Sequence, residues 1–287
     1  MNNRGKALST LEILKNRLIY LSSNVPEFEL GDAKLLRKQI NDAWAIVYHN
    51  IGRNEKRPLN DDDFLRAHLA NYYHERVSKD LPTDEDQQAK FLGLSYSVLE
   101  DPADFLLRNH FTRNRLLAGA AGGAPLTAKS LQEYTTDLRS SAETYFKIST
   151  PATSGYSDDE KVFLERLGRL RGYDAGPLVL ALFKRESNPK QRTAFLDTYE
   201  RYLFCASLKN GYRSGYARGG LMVEVIKFIK GSMKTHELVT YYNNLVEQLF
   251  KEDTLADTLH DWTKNGPGYY GWRSIRYFLF EYELSRQ

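Results

Sequence analysis

Residues 1–22 read MNNRGKALSTLEILKNRLIYLS, and they decide the fold class. Ser9 and Glu12 have the spacing of a capping box, in which the serine hydroxyl accepts from the third helical N–H and the glutamate reaches back to the cap. Leu11, Leu14, Leu18 and Leu21 then recur at helical spacing as one apolar stripe, while Ile13 and Tyr20 fall on roughly the opposite side. A helix with two apolar faces packs against two things. The turn before it, built from Asn2, Asn3 and Gly5, has the composition of a strand-to-helix connection.

The same pattern continues downstream. Asp32 is placed to cap a helix carrying Leu35, Leu36, Ile40, Trp44 and Val47. Asn60 or Asp61 caps the next, with acidic residues in its first turn where the helix dipole favours them. Residues 79–90 are polar and read as a surface connection, followed by a helical stretch from about Leu92 to Leu117. AGAAGGAPLT (118–127) is the strongest break. Thr127 opens a helix to about residue 147, Ser157 and Glu160 form a second capping box, and helices fit 176–187, 189–209, 219–231, 236–251, 253–264 and 270–286. The last has aromatics on nearly every side, which predicts a buried helix or one that meets a partner. No stretch alternates like a strand. The expectation is an all-α chain, a multi-helix connector or bundle. It divides into an N-terminal segment (1–24), a helical subdomain (25–117), a Gly/Ala-rich linker (118–127) and a second helical subdomain (128–287).

Composition narrows function only by exclusion. The 287 residues are 41% hydrophobic and 27% charged, as in ordinary globular proteins, and no apolar run reaches the ~18 residues of a membrane span. The single cysteine, Cys205, excludes an internal disulfide and sits among apolar residues as a core thiol; a reducing cytoplasm fits this usage. A net charge of +3 permits nucleic-acid contact without arguing for it.

Two clusters carry candidate chemistry. Asn3, Arg4, Gly5 and Lys6 precede a helix N-terminus and could hold a phosphate, although Glu12 occupies part of that field and a plain turn explains them more simply. Arg108, Arg113 and Arg115 surround His110 and Phe111 and could track a nucleic-acid backbone; a solvated helix face accounts for the same run. The tyrosine- and glycine-rich segment 209–220 has an RNA- or single-strand-like composition that a loop explains equally, and GPGYYGW (266–272) reads as a rigid turn. His68 and His74 are six apart, which breaks the i, i+4 geometry of a metal pair. No Walker loop, nucleophile elbow or triad is legible. The residues alone give no catalytic set and no metal or cofactor site.

The opening segment resembles the late part of the N-terminal domain of GmrSD-type restriction endonucleases, a ParB/sulfiredoxin-like family. Asn3, Arg4, Gly5, Leu8, Ser9, Glu12, Leu14 and Lys15 carry the likeness. NDDDFLRAHLANYY resembles the segment that often follows, through Asp63, Phe64, Leu65, Arg66 and His68. WRSIRYFLFEYEL is similar to the helix that precedes the family's His-Me-finger nuclease domain. The resemblance implies a parent that uses a nucleoside triphosphate and a divalent metal to cut foreign, often modified, DNA in defence against phage. The family's nucleotide-handling motif lies upstream of the matched turn and its nuclease residues lie downstream. The expectation is therefore a truncated fragment, inactive alone, that connects those two domains, with residues 1–24 as the remnant turn and helix of the N-terminal α/β nucleotide-handling domain. Its partners would be the missing domains or a second copy of itself, with DNA reached through the parent. A stand-alone, non-enzymatic helical module that binds a protein or nucleic acid is the alternative.

Overall fold

The structure, a computed structural model, describes residues 8–25, 30–53, 59–116, 125–170, 176–210, 223–251, 254–264 and 274–286. Every regular element among them is helical. The chain forms two compact units, Met1–Phe146 and Lys147–Gln287.

In the first unit, α1 (Thr10–Ser22) begins at the expected capping box: Glu12 N donates to Ser9 Oγ at 3.3 Å and Ser9 N donates to Glu12 Oε2 at 2.8 Å. Its leucine stripe is wholly buried against α2 (Leu30–Gly52) and α3 (Asp61–Tyr72). Trp44 of α2 fixes the contact by donating its indole N–H to the Leu11 carbonyl at 3.1 Å. Asp32 lies in the first turn of α2 rather than at its cap, because the helix starts two residues earlier. Asn60 caps α3 as expected, accepting from Asp62 N and Asp63 N.

Two departures follow. The polar connection after residue 79 is shorter than its composition suggests, because Asp84 caps α4 (Glu85–Glu100) by accepting from Gln87 N at 2.9 Å. The single stretch expected over Leu92–Leu117 is broken after Glu100, where Asp101 and Pro102 interrupt it; a proline supplies no N–H to the helical ladder. Beyond it lie a π-helical segment (Asp104–His110) and a 3₁₀ turn (Arg113–Leu116). Another π-helical segment, Tyr73–Val77, extends α3.

Then α5 (Ala128–Ser149) starts at Thr127, whose hydroxyl accepts from Ser130 N at 3.2 Å. It packs Leu131, Tyr134, Leu138 and Ala142 into the first unit, and Tyr145 lies 5.5 Å from Phe64 between ring centroids. The boundary accordingly falls at residue 146. The glycine-rich break at 118–127 lies inside the first unit, and its residues 118–124 are outside those described.

The second unit is organised on α8 (Pro189–Asn210). Its Phe195, Tyr199 and Tyr202 run at i, i+4, i+7 against Tyr242 of α10 (Thr235–Leu249), at centroid distances of 5.8, 5.0 and 5.0 Å. On another face α8 meets α6 (Asp158–Arg169), which opens with the expected Ser157–Glu160 capping box. α7 (Gly176–Arg185) packs on α9 (Val223–Lys230), and α11 (Leu255–Lys264) packs on α8. The final helix, α12 (Ile275–Ser285), lies on α8 through Phe204, 5.7 Å from the Tyr277 ring, and through Ser274 Oγ, which donates to Ser207 Oγ at 3.0 Å.

Candidate functional site

The densest polar cluster lies inside the first unit. His68, Asn71 and Tyr72 occupy the same stripe of α3 as Phe64, at positions where an amphipathic helix ordinarily carries aliphatic side chains, and all are buried. α5 supplies Tyr134, Asp137 and Ser141 to the same region. His110 comes from the second π-helical segment, whose wider turn sets it inward beside Phe111.

His68 Nδ1 is 3.0 Å from Ser141 Oγ and 3.7 Å from Asp137 Oδ2. These are the residue types of a hydrolytic triad, but the wiring is wrong. A triad needs the serine on one ring nitrogen and the carboxylate on the other, so that the base is oriented while it takes the proton. Here both oxygens address Nδ1. The three residues join α3 to α5 instead.

A second branch runs through His110. Arg115 Nη1 donates to His110 Nδ1 at 2.8 Å and to its carbonyl at 3.0 Å. A guanidinium only donates, so Nδ1 accepts and the neutral ring carries its proton on Nε2. Nε2–H then donates to the Tyr72 hydroxyl oxygen, 3.0 Å away. Burial, reinforced by the Arg115 charge, pushes the imidazole down to about 3, so the neutral ring persists across the physiological range. Burial drives the Tyr72 phenol the other way, up to about 12.

Tyr134 sits at the centre, edge-on to Tyr72 at 4.8 Å and to Phe111 at 4.6 Å. Its buried hydroxyl has no hydrogen-bond partner among the described residues, and burial raises it well above the ordinary tyrosine value. A general acid or base needs a pKa near the working pH and reach to a substrate. His110, Tyr72 and Tyr134 have been moved away from neutrality and are buried. The cluster is a polar lock that positions α3, α5 and the π-helical turn.

The second unit has its own buried pair. Glu160, fully buried, accepts from Arg192 Nε, and Arg192 Nη1 also donates to the Glu186 carbonyl at 2.8 Å. Burial pushes Glu160 up, but the bonds from Arg192 and Ser157 outweigh it and hold the carboxyl below its usual value. Glu200 behaves oppositely. Burial beside Tyr277, only partly opposed by Arg166, lifts it to about 7.

The arginines selected from the sequence separate on the structure. Arg108 is exposed and paired with Asp104 at 3.2 Å, Arg113 is exposed, and Arg115 is turned inward onto His110. Asn3, Arg4, Gly5 and Lys6 lie outside the described residues, as do 211–220 and 266–272. Cys205 is buried, and burial pushes its thiol up to about 11. Among the described residues no group of three or more His, Cys, Asp or Glu side chains is placed to hold a metal ion. No described helix is long and apolar enough to cross a membrane. No family model, curated protein or solved structure matches the chain.

Proposed function

We propose that this chain is a helical scaffold of a GmrSD-like, modification-dependent restriction system that defends cells against phage. It acts in the cytoplasm by docking nucleotide-handling and nuclease domains, and it carries no chemistry of its own. The nucleotide and the divalent metal belong to those other domains in this reading.

The observation that supports it is the division of labour in α1. Of the motif residues described there, Ser9 and Glu12 cap the helix and Leu14 is buried on α2 and α3. Leu8, just before the helix, and Ile13 and Tyr20 on it are exposed, Ile13 by 39% and Tyr20 by 47%. An apolar face on the very helix that carries the family-like motif is what a docking element offers.

The test is phage restriction in cells that express the chain together with its neighbouring reading frames. Introducing Ile13→Lys with Tyr20→Glu should abolish restriction of a phage with hypermodified DNA while the purified chain keeps its melting temperature. Equal plating with and without the wild-type genes, or full restriction by the double variant, overturns the proposal.

A further inference from the structure

Apolar packing contributes little to the attachment of α12. Among its described side chains Tyr277 alone is buried, and Phe278, stacked on Phe204 of α8 at a centroid distance of 6.2 Å, stays partly exposed. A helix with so little buried apolar surface is held by specific bonds, and such elements open locally before the rest of a fold does. Three sets of bonds seat α12. Tyr277 donates its hydroxyl to Glu200 of α8, and Ser274 Oγ donates to Ser207 Oγ. Glu281 is clamped from α6 by Arg166 Nε at 3.1 Å and Arg169 Nε at 2.9 Å.

The first and third of these sets are coupled through Arg166. Around the buried Glu200 carboxyl stand Arg166 from α6, Tyr277 and Glu281 from α12, and Asp197, Arg201 and the Cys205 thiol from α8 itself. Asp197 and Arg201 pair with each other at 3.0 Å, so their charges largely cancel. Arg166 is then the cation between two carboxylates, and it already pairs with Glu281. While Glu200 keeps its proton, the guanidinium serves Glu281 and the helix is seated. Once Glu200 ionises, it competes for Arg166, repels Glu281 and carries a charge shielded from water. Lifting α12 relieves all three effects, because it admits water to Glu200, withdraws Glu281 and leaves Arg166 to Glu200.

We propose that α12 is a releasable strap, latched at Glu200, that lifts from α6 and α8 while the rest of the second unit stays folded. Opening uncovers the α8 surface around Phe204 and Ser207. The proton acts as the ligand that selects the closed form. Burial lifts the seated Glu200 to about 7, against 4.5 for the ordinary carboxyl, so the hold is complete below 4.5 and is lost as the pH rises through about 7. That difference corresponds to a rise in opening of at most roughly 300-fold across the window. The inference does not depend on membership of a restriction system.

Thiol labelling of the full chain tests it. Ser207→Cys in a Cys205→Ala background sets a single thiol beneath α12. Its alkylation rate, divided by that of a free cysteine peptide at the same pH, reports opening. The corrected rate should rise about 10-fold or more from pH 5 to pH 8. It should not respond to low urea, because lifting one helix exposes little surface. Glu200→Gln should keep the rate near its pH 5 value throughout, since an amide cannot ionise. Glu281→Gln should speed labelling at pH 5 by loosening the clamp, and should shrink the rise by removing the repelling charge. Hydrogen exchange of the α12 amides in the unaltered chain, corrected for intrinsic rates, should show the same ratio without the reporter. Matching corrected rates at pH 5 and pH 8, a rise that survives Glu200→Gln, or a rate that climbs steeply in low urea overturns the inference.

Discussion

Two tyrosines that touch each other should respond oppositely to losing their hydroxyls. Tyr72 accepts the His110 Nε2–H, so Tyr72→Phe leaves a buried donor unsatisfied and should cost about 1–3 kcal/mol in a denaturant melt. Tyr134 buries a hydroxyl with no partner among the described residues, so Tyr134→Phe removes a desolvation cost and should be neutral or stabilising by up to about 1 kcal/mol. A loss at Tyr134 as large as that at Tyr72 would mean an unseen bond to its hydroxyl. The arginines divide in the same way. Arg115→Ala should lower the melting temperature, because it strips the donor from His110. Arg108→Ala and Arg113→Ala should leave stability within about 0.5 kcal/mol and should flatten the salt dependence of any DNA binding by at most about two units. A fluorescence titration at several salt concentrations with each variant checks this. The cluster was hardly legible in the sequence: His68 stood out there as a histidine at the wrong spacing for a metal pair, although it shares the helical stripe of Phe64 with Asn71 and Tyr72. His110 was less visible still. The charged run around it reads as one solvated face only if the helix is an α-helix, and the π-helical turn puts that histidine inside.

At the scale of elements, cap chemistry was the dependable signal. Ser9 with Glu12 and Ser157 with Glu160 begin helices where their spacing says they should, because each pair satisfies backbone donors locally whatever lies around it. Boundaries set by tertiary packing were less visible. α5 runs through the division at residue 146 without a glycine or proline to mark it, and its contacts with α3 and with Phe111 hold most of it in the first unit. The two faces of α1 were read correctly as distinct, and they give a sharp contrast. Leu14 is wholly buried, so Leu14→Ala should cost about 2–5 kcal/mol. Ile13→Lys and Tyr20→Glu alter the exposed face and should change stability by about 0.5 kcal/mol or less while improving solubility. Thermal melts of the three variants side by side measure this. A large loss from the double surface variant would place that face in the core.

For the molecule as a whole, the two units should respond to pH in opposite senses. In the first, the folded His110 ring stays neutral down to about 3, whereas the unfolded ring protonates near 6.5. The unfolded state therefore binds the extra proton between those values, and stability is lost as the pH falls below about 6.5. In the second, the folded Glu200 carboxyl keeps its proton up to about 7, whereas the unfolded one ionises near 4.5. The folded state holds the extra proton across that window, so stability is lost as the pH rises through it. Each slope is at most about 1.4 kcal/mol per pH unit. Glu160 and Glu186, both held below the ordinary carboxylate value, act only at pH below about 4.5 and do not intrude. Hydrogen exchange resolved by segment separates the two trends. After correction for intrinsic rates, α3 and α5 should be better protected near pH 7 than near pH 5, and α8 and α12 better protected near pH 5. Glu200→Gln should remove the second trend, because an amide cannot ionise, and His110→Phe should remove the first. If both units gain protection together as the pH rises, or if Glu200→Gln leaves the trend in α8 and α12 intact, the assignment of these two groups as the controlling titrations fails.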